Sequence, residues 1–113
     1  MAQLVEYGRE MIRINPSNNT IEYTRDGRNW SRRHASQYYG TFFDLCVVAS
    51  YIYAATTKGV IYSHDGGLNW TTKCNSTAYG TFKTLMVRGT ELWAQTTKGT
   101  YVSKDGGRNW MKK

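Results

Sequence analysis

The eight residues Ser63-His64-Asp65-Gly66-Gly67-Leu68-Asn69-Trp70 return as Ser103-Lys104-Asp105-Gly106-Gly107-Arg108-Asn109-Trp110 and, one residue shorter, as Thr24-Arg25-Asp26-Gly27-Arg28-Asn29-Trp30. The tryptophans stand at 30, 70 and 110, which sets a period of 40 residues. The register holds outside the box as well: Tyr39-Gly40-Thr41-Phe42 recurs as Tyr79-Gly80-Thr81-Phe82, and Thr56-Thr57-Lys58-Gly59 as Thr96-Thr97-Lys98-Gly99. A fixed period in this range means stacked supersecondary units, none of which buries its apolar face alone. Units of about 1–34, 35–74 and 75–113 account for the whole chain, so the reading is a single domain of three repeats.

The repeated box has the chemistry of a tight turn. An aspartate accepts hydrogen bonds from main-chain N–H groups two residues on, glycine supplies a positive φ, a Ser or Thr hydroxyl reinforces the turn, and tryptophan anchors the chain beyond it. Between boxes the pattern is that of strands. In the second unit, residues 42–49 and 51–57 are runs rich in β-formers, 60–63 lead into the box and 70–73 lead out. The third unit repeats this at 82–87, 91–97, 100–103 and 110–112, and the first more weakly at 4–7, 11–15, 20–24 and 30–32. No segment carries a helical period, and four short strands per repeat predict an antiparallel meander.

The motif Ser-X-Asp-X-Gly-X-X-Trp resembles the Asp-box, or BNR repeat, of sialidases and many other β-propeller proteins. In that family the box joins the third and fourth strands of a blade and does no catalysis. The resemblance therefore assigns Asp26, Trp30, Ser63, Asp65, Gly67, Trp70, Ser103, Asp105, Gly107 and Trp110 to structure. Asn69 and Asn109 stand where the family usually has Thr, and the first copy carries Arg28 where a Gly is expected. The fold expectation is all-β, with three four-stranded antiparallel blades of a propeller. Three blades do not close a ring, since propellers have about four to eight. A homodimer closing six blades is the symmetric solution, because an open half-ring leaves apolar end faces exposed. The alternative is an open three-layer stack whose weak first unit acts as a cap.

Composition narrows the function. The formal net charge is +7, from 15 Lys and Arg against 8 Asp and Glu, which favours anionic partners. No stretch is long and apolar enough to span a membrane as a helix, and Met1-Ala2-Gln3-Leu4-Val5-Glu6 lacks the features of a signal peptide, so the expected setting is cytoplasmic, without membrane contact. Cys46 and Cys74 read as reduced thiols, and no cofactor or metal is implied. His34 and His64 have no companion Cys or carboxylate at ligand spacing. Once Asp26, Asp65 and Asp105 are assigned to turns, Glu6, Glu10, Glu22, Asp44 and Glu91 remain, and no motif pairs them. Sialidase chemistry does not map onto the chain, and the expectation is a protein that is not an enzyme.

Meander topology puts the boxes at one end of the blades and the Lys58 and Lys98 turns at the other, with the connections 32–40 and 73–80. Arg33, His34, Tyr38, Tyr39, Lys58, Lys73, Tyr79 and Lys98 are the candidate ligand-binding residues: cations for phosphate or carboxylate, π faces for stacking. The leading reading is a non-catalytic binding protein for a small anionic ligand, a nucleotide or nucleotide messenger ahead of an acidic glycan, which it would sequester. A lectin, in which Trp93, Tyr53 and the rim tyrosines stack on neutral sugars, and a protein-interaction platform are the alternatives.

Overall fold

The computed structural model describes residues 4–35, 38–75 and 77–113; the sequence positions Met1, Ala2, Gln3, Ser36, Gln37 and Ser76 lie outside the described residues. Among the described residues, twelve strands form three four-stranded antiparallel sheets, each a simple meander. Blade 1 holds β1 (Leu4–Tyr7), β2 (Glu10–Asn15), β3 (Thr20–Thr24) and β4 (Ser31–His34). Blade 2 holds β5 (Phe42–Val48), β6 (Tyr51–Thr56), β7 (Gly59–Ser63) and β8 (Thr71–Cys74). Blade 3 holds β9 (Phe82–Arg88), β10 (Glu91–Thr96), β11 (Gly99–Ser103) and β12 (Met111–Lys112), after one 3-10 turn at Thr77–Tyr79. The strands predicted from the repeats are all present. Their ends shift by one or two residues, most at β4, which begins after Trp30 and runs through His34.

Each box closes the turn between the third and fourth strands. In blade 2 the Ser63 hydroxyl accepts from Gly67 N at 2.9 Å and donates to Asp65 Oδ1, which also accepts from Asn69 N; Asn69 Nδ2 donates to Asp65 Oδ2 at 2.8 Å. Blade 3 repeats this set on Ser103, Asp105, Gly107 and Asn109. The N–H groups and side chain of Asn109 hold the Asp105 carboxyl down at about 2. Trp70 and Trp110 each donate Nε1–H to the carbonyl of the second box glycine at 2.9 Å, and both rings are buried. Gly67 and Gly107 sit at φ +96° and +95°, a region that favours glycine.

The shortened first box keeps its aspartate at work: Asp26 Oδ1 accepts from Arg28 N and Asn29 N, both at 2.9 Å. It loses the tryptophan anchor. Trp30 is half-exposed, and the Arg13 guanidinium lies 4.0 Å above its ring.

The strand ladders place equivalent residues of the three blades in register, so each sheet has a face toward the next blade, called leading here, and a trailing face. Two apolar seams result. In the first, Ile12, Ile14 and Ile21 pack against Phe42, Leu45, Ile52, Ala54, Ile61 and Trp70. In the second, Cys46, Tyr53, Ala55, Val60 and Cys74 pack against Phe82, Leu85, Leu92, Ala94, Tyr101 and Trp110. Cys46 and Cys74 are unbridged, and burial pushes the Cys46 thiol up to about 11.

The two end faces are more polar than the repeat pattern predicts. On the trailing face of blade 1, Arg13 and Glu22 form an ion pair at 2.8 Å, at positions occupied by Ala54 and Ile61 in blade 2 and by Ala94 and Tyr101 in blade 3. On the leading face of blade 3, Gln95 and Thr100 stand where blade 2 has Ala55 and Val60. Water solvates these groups where it would not solvate a bare Ile face, and that limits the exposed apolar area. Met86 and Leu4 remain half-exposed there.

Candidate ligand pocket at the lysine turns

The β6–β7 turn carries Lys58, and its geometry is set by neighbours on both sides. Thr56 Oγ1 accepts from Lys58 N at 3.1 Å and donates to Gly59 O at 3.0 Å. Thr57 Oγ1 accepts from Thr41 N at 3.1 Å, and Thr57 N donates to Thr41 O at 3.1 Å. The two Thr56 bonds shape the turn, and the two Thr57 bonds clamp it against the incoming connection, where Tyr38 and Tyr39 lie edge to face with centroids 4.9 Å apart. Tyr39 donates its hydroxyl to Trp70 O at 2.6 Å, which fixes its ring; burial pushes its phenol pKa up. Tyr38 is 70% exposed, and Lys58 Nζ lies 5.8 Å from its ring centroid.

Together with Thr72 and Asn75 these residues line an open cavity of about 420 Å³. Lys58 forms no ion pair among the described residues. The cavity thus offers one uncompensated ammonium, an exposed aromatic face, two threonine hydroxyls and a carboxamide. That set is suited to holding an anionic group against an aromatic plane.

The remaining sequence candidates separate from this pocket. Lys98 sits in the matching turn of blade 3, exposed, with its N–H on Thr96 Oγ1 at 3.0 Å. Tyr79 packs its ring on Phe82 and Tyr101, and Thr96 donates to its carbonyl at 2.6 Å. Arg33, His34 and Lys73 lie in β4 and β8 and turn into the seams rather than onto the rim. Arg33 forms a two-point pair with Glu10 at 2.6 and 2.9 Å, stacks 3.6 Å over Tyr23, and donates to Gly66 O at 3.2 Å. The Arg33 hydrogen bonds hold the Glu10 carboxyl below the usual range despite its burial, and Glu10 in turn raises Arg33. Lys73 lies with Nζ 4.7 Å over Tyr62. His34 packs against Tyr39, Phe42 and Trp70, with Nδ1 3.4 Å from Leu68 O and a buried Nε2 that has no partner among the described residues; burial lowers its pKa. Arg33 and Lys73 hold matching places in β4 and β8 and reach the next blade's box, a placement set by strand register.

Thr57, Thr72 and Asn75 are pocket residues that sequence reasoning missed. Thr57 was within reach, since it belongs to the repeated Thr-Thr-Lys-Gly turn; Thr72 lies in β8 and Asn75 directly after it, and nothing in their sequence spacing joins them to that turn. No group of three or more His, Cys, Asp or Glu is placed to hold a metal among the described residues. No helix among them is long and apolar enough to cross a membrane.

No family profile and no curated protein matches the chain. Solved structures do. The chain has the blade architecture of a β-propeller. A structure titled "YCF48 bound to D1 peptide" is similar over 97% of this chain, with a TM-score of 0.71 and 21% identity. The chain spans 40% of the length of that protein, so the likeness is one of fold over part of a longer chain.

Proposed function

We propose that this chain is a non-catalytic binding module that holds an acidic polypeptide segment at the Lys58 pocket. The observation that carries this reading is the Lys58 ammonium, free of any carboxylate among the described residues, beside the exposed Tyr38 ring in the open 420 Å³ cavity. A Glu or Asp side chain meets the ammonium there while its backbone reaches the hydroxyls of Thr57 and Thr72 and the Asn75 amide. The +7 net charge assists the encounter. The propeller fold is shared with a structure solved with a bound peptide, which supports a polypeptide ahead of a small molecule. A nucleotide is the second reading, favoured by the same Tyr38–Lys58 pair, since a base stacks on the ring and a phosphate takes the ammonium. The pairing of two chains anticipated from the repeat count concerns the end faces and not this pocket.

Fluorescence anisotropy with Glu- and Asp-rich peptides, their uncharged amide counterparts and a nucleotide panel tests the reading. Acidic peptides should bind, the amide counterparts should not, and Lys58→Glu should weaken binding by at least about tenfold with unchanged melting. Binding confined to nucleotides moves the assignment to the second reading, and binding insensitive to Lys58→Glu removes the pocket from it.

A further inference from the structure

The leading faces of blades 1 and 2 each press a fixed set of side chains onto the box of the next blade. A Cβ placed on Gly67 would lie 3.1 Å from Ile21 Cγ2 and 3.9 Å from Ile12 Cγ2, and one on Gly66 would meet Arg33 Nη1 at 2.6 Å. In the second seam the same seats are covered by Tyr53 and Lys73, which would lie 3.4 to 3.8 Å from a Cβ placed on Gly106 or Gly107. Register carries these positions into blade 3: Trp93 stands where Ile12 and Tyr53 stand, Lys113 where Arg33 and Lys73 stand, and Glu91 where Glu10 stands. Blade 3 therefore repeats the parts that elsewhere grip a following box. They are gathered and uncovered: Trp93 lies under Arg88 at 4.7 Å and Lys113 at 5.1 Å, its Nε1–H donates to Glu91 at 3.1 Å, and a cavity of about 280 Å³ opens beside it.

The first box is the complementary half. A Cβ on Gly27 would meet nothing within 4 Å, unlike those on Gly66 and Gly67. The two end faces also match in polarity. Where the inner seams set apolar against apolar, the trailing face of blade 1 has Arg13 and Glu22, and the leading face of blade 3 has Gln95 and Thr100. Their charges fall in complementary places. In the first seam Tyr7 of the leading face and Val47 of the trailing face pack in one cluster; Arg88 holds the place of Tyr7, and exposed Glu6 holds that of Val47.

We infer that the leading face of blade 3 docks on the trailing face of blade 1 of a second copy, Arg88 against Glu6 and Trp93 with Lys113 over the Asp26–Gly27 turn, and that the contact made twice closes six blades into a ring. Such a seam is hydrogen-bonded and ion-paired rather than apolar, so it is sensitive to single charges. This inference is independent of the Lys58 pocket, which lies at the other end of the blades.

Sedimentation velocity of the unmodified chain, Arg88→Glu, Glu6→Arg and the double variant decides it, with melting by circular dichroism to verify folding. The expected mass at micromolar concentration is twice 13.0 kDa. Each single reversal should raise the dissociation constant at least about tenfold, and the double variant should recover most of the loss, because opposite charges face each other again. A monomer at micromolar concentration, assemblies longer than two chains, or a dimer indifferent to both reversals overturns the inference.

Discussion

The seam between blades 1 and 2 and the seam between blades 2 and 3 are built from equivalent positions and held differently. The first sets isoleucines against the trailing face and adds a charged latch, Glu10–Arg33–Gly66 O, with a half-buried imidazole, His34, at its other end. The second has Tyr51 and Lys73 at the latch positions, Cys74 at the place of His34, and a wholly buried Asp44 whose Oδ2 accepts from Leu85 N at 2.9 Å. Two copies of one repeat thus meet their neighbours by an ion pair near solvent in one case and by a buried carboxylate on a backbone N–H in the other. The lesson is that a repeat conserves the packing surface while the polar fixings drift.

The largest expected effect comes from the buried fixing. Asp44→Ala leaves Leu85 N without this acceptor in a buried seam and should cost about 2–3 kcal/mol, read as a fall in the urea midpoint at unchanged slope. The charged latch comes next. Arg33→Met strands a mostly buried Glu10 beside Arg25 and should cost about 1–2 kcal/mol, whereas Lys73→Met should stay within about 0.5 kcal/mol, since Lys73 has no ion pair among the described residues and Met keeps its stem's packing on Tyr62 and the Gly106–Gly107 turn. Equal costs for the two would erase the distinction between the seams. The smallest contrast isolates packing. Gly67→Ala and Gly107→Ala carry the same backbone strain at φ +96° and +95°, but the new methyl meets Ile21 at 3.1 Å in the first seam and nothing closer than 3.4 Å in the second. Gly67→Ala should be the worse by about 0.5–1 kcal/mol, and a reversed order would show that the second seam is the tighter.

Most of the fold was legible in the sequence because the box fixes the period and alternation fixes the strands. The seam fixings were not, because they depend on how one sheet is rotated against the next: Glu10 and Arg33 are 23 residues apart, with nothing in their spacing to join them. Asp44 did leave a signal, a lone carboxylate inside the apolar run 42–48, and a carboxylate in such a place needs a donor. Of the site, the turn carrying Lys58 could be read from the repeated Thr-Thr-Lys-Gly, whereas Arg33, His34 and Lys73 looked like rim residues because charge alone does not say which way a strand side chain faces.

The difference between the seams is most directly tested by acid. Burial depresses the His34 pKa below 6.5, so the unfolded chain binds the proton more readily; stability from this group is complete above 6.5 and is lost as pH falls below it toward the depressed value. Glu10, also depressed, holds its contribution above 4.5 and loses it below as pH falls through its lowered value, so both groups weaken the first seam in the same direction. Native-state hydrogen exchange between about pH 7 and pH 5, corrected for intrinsic rates, reads this blade by blade. Amides of β1 to β4 should lose protection, by up to roughly tenfold per pH unit, while those of β6, β7, β10 and β11 keep theirs. Protection lost uniformly across the three blades, or first in blade 3, would overturn the distinction between the seams.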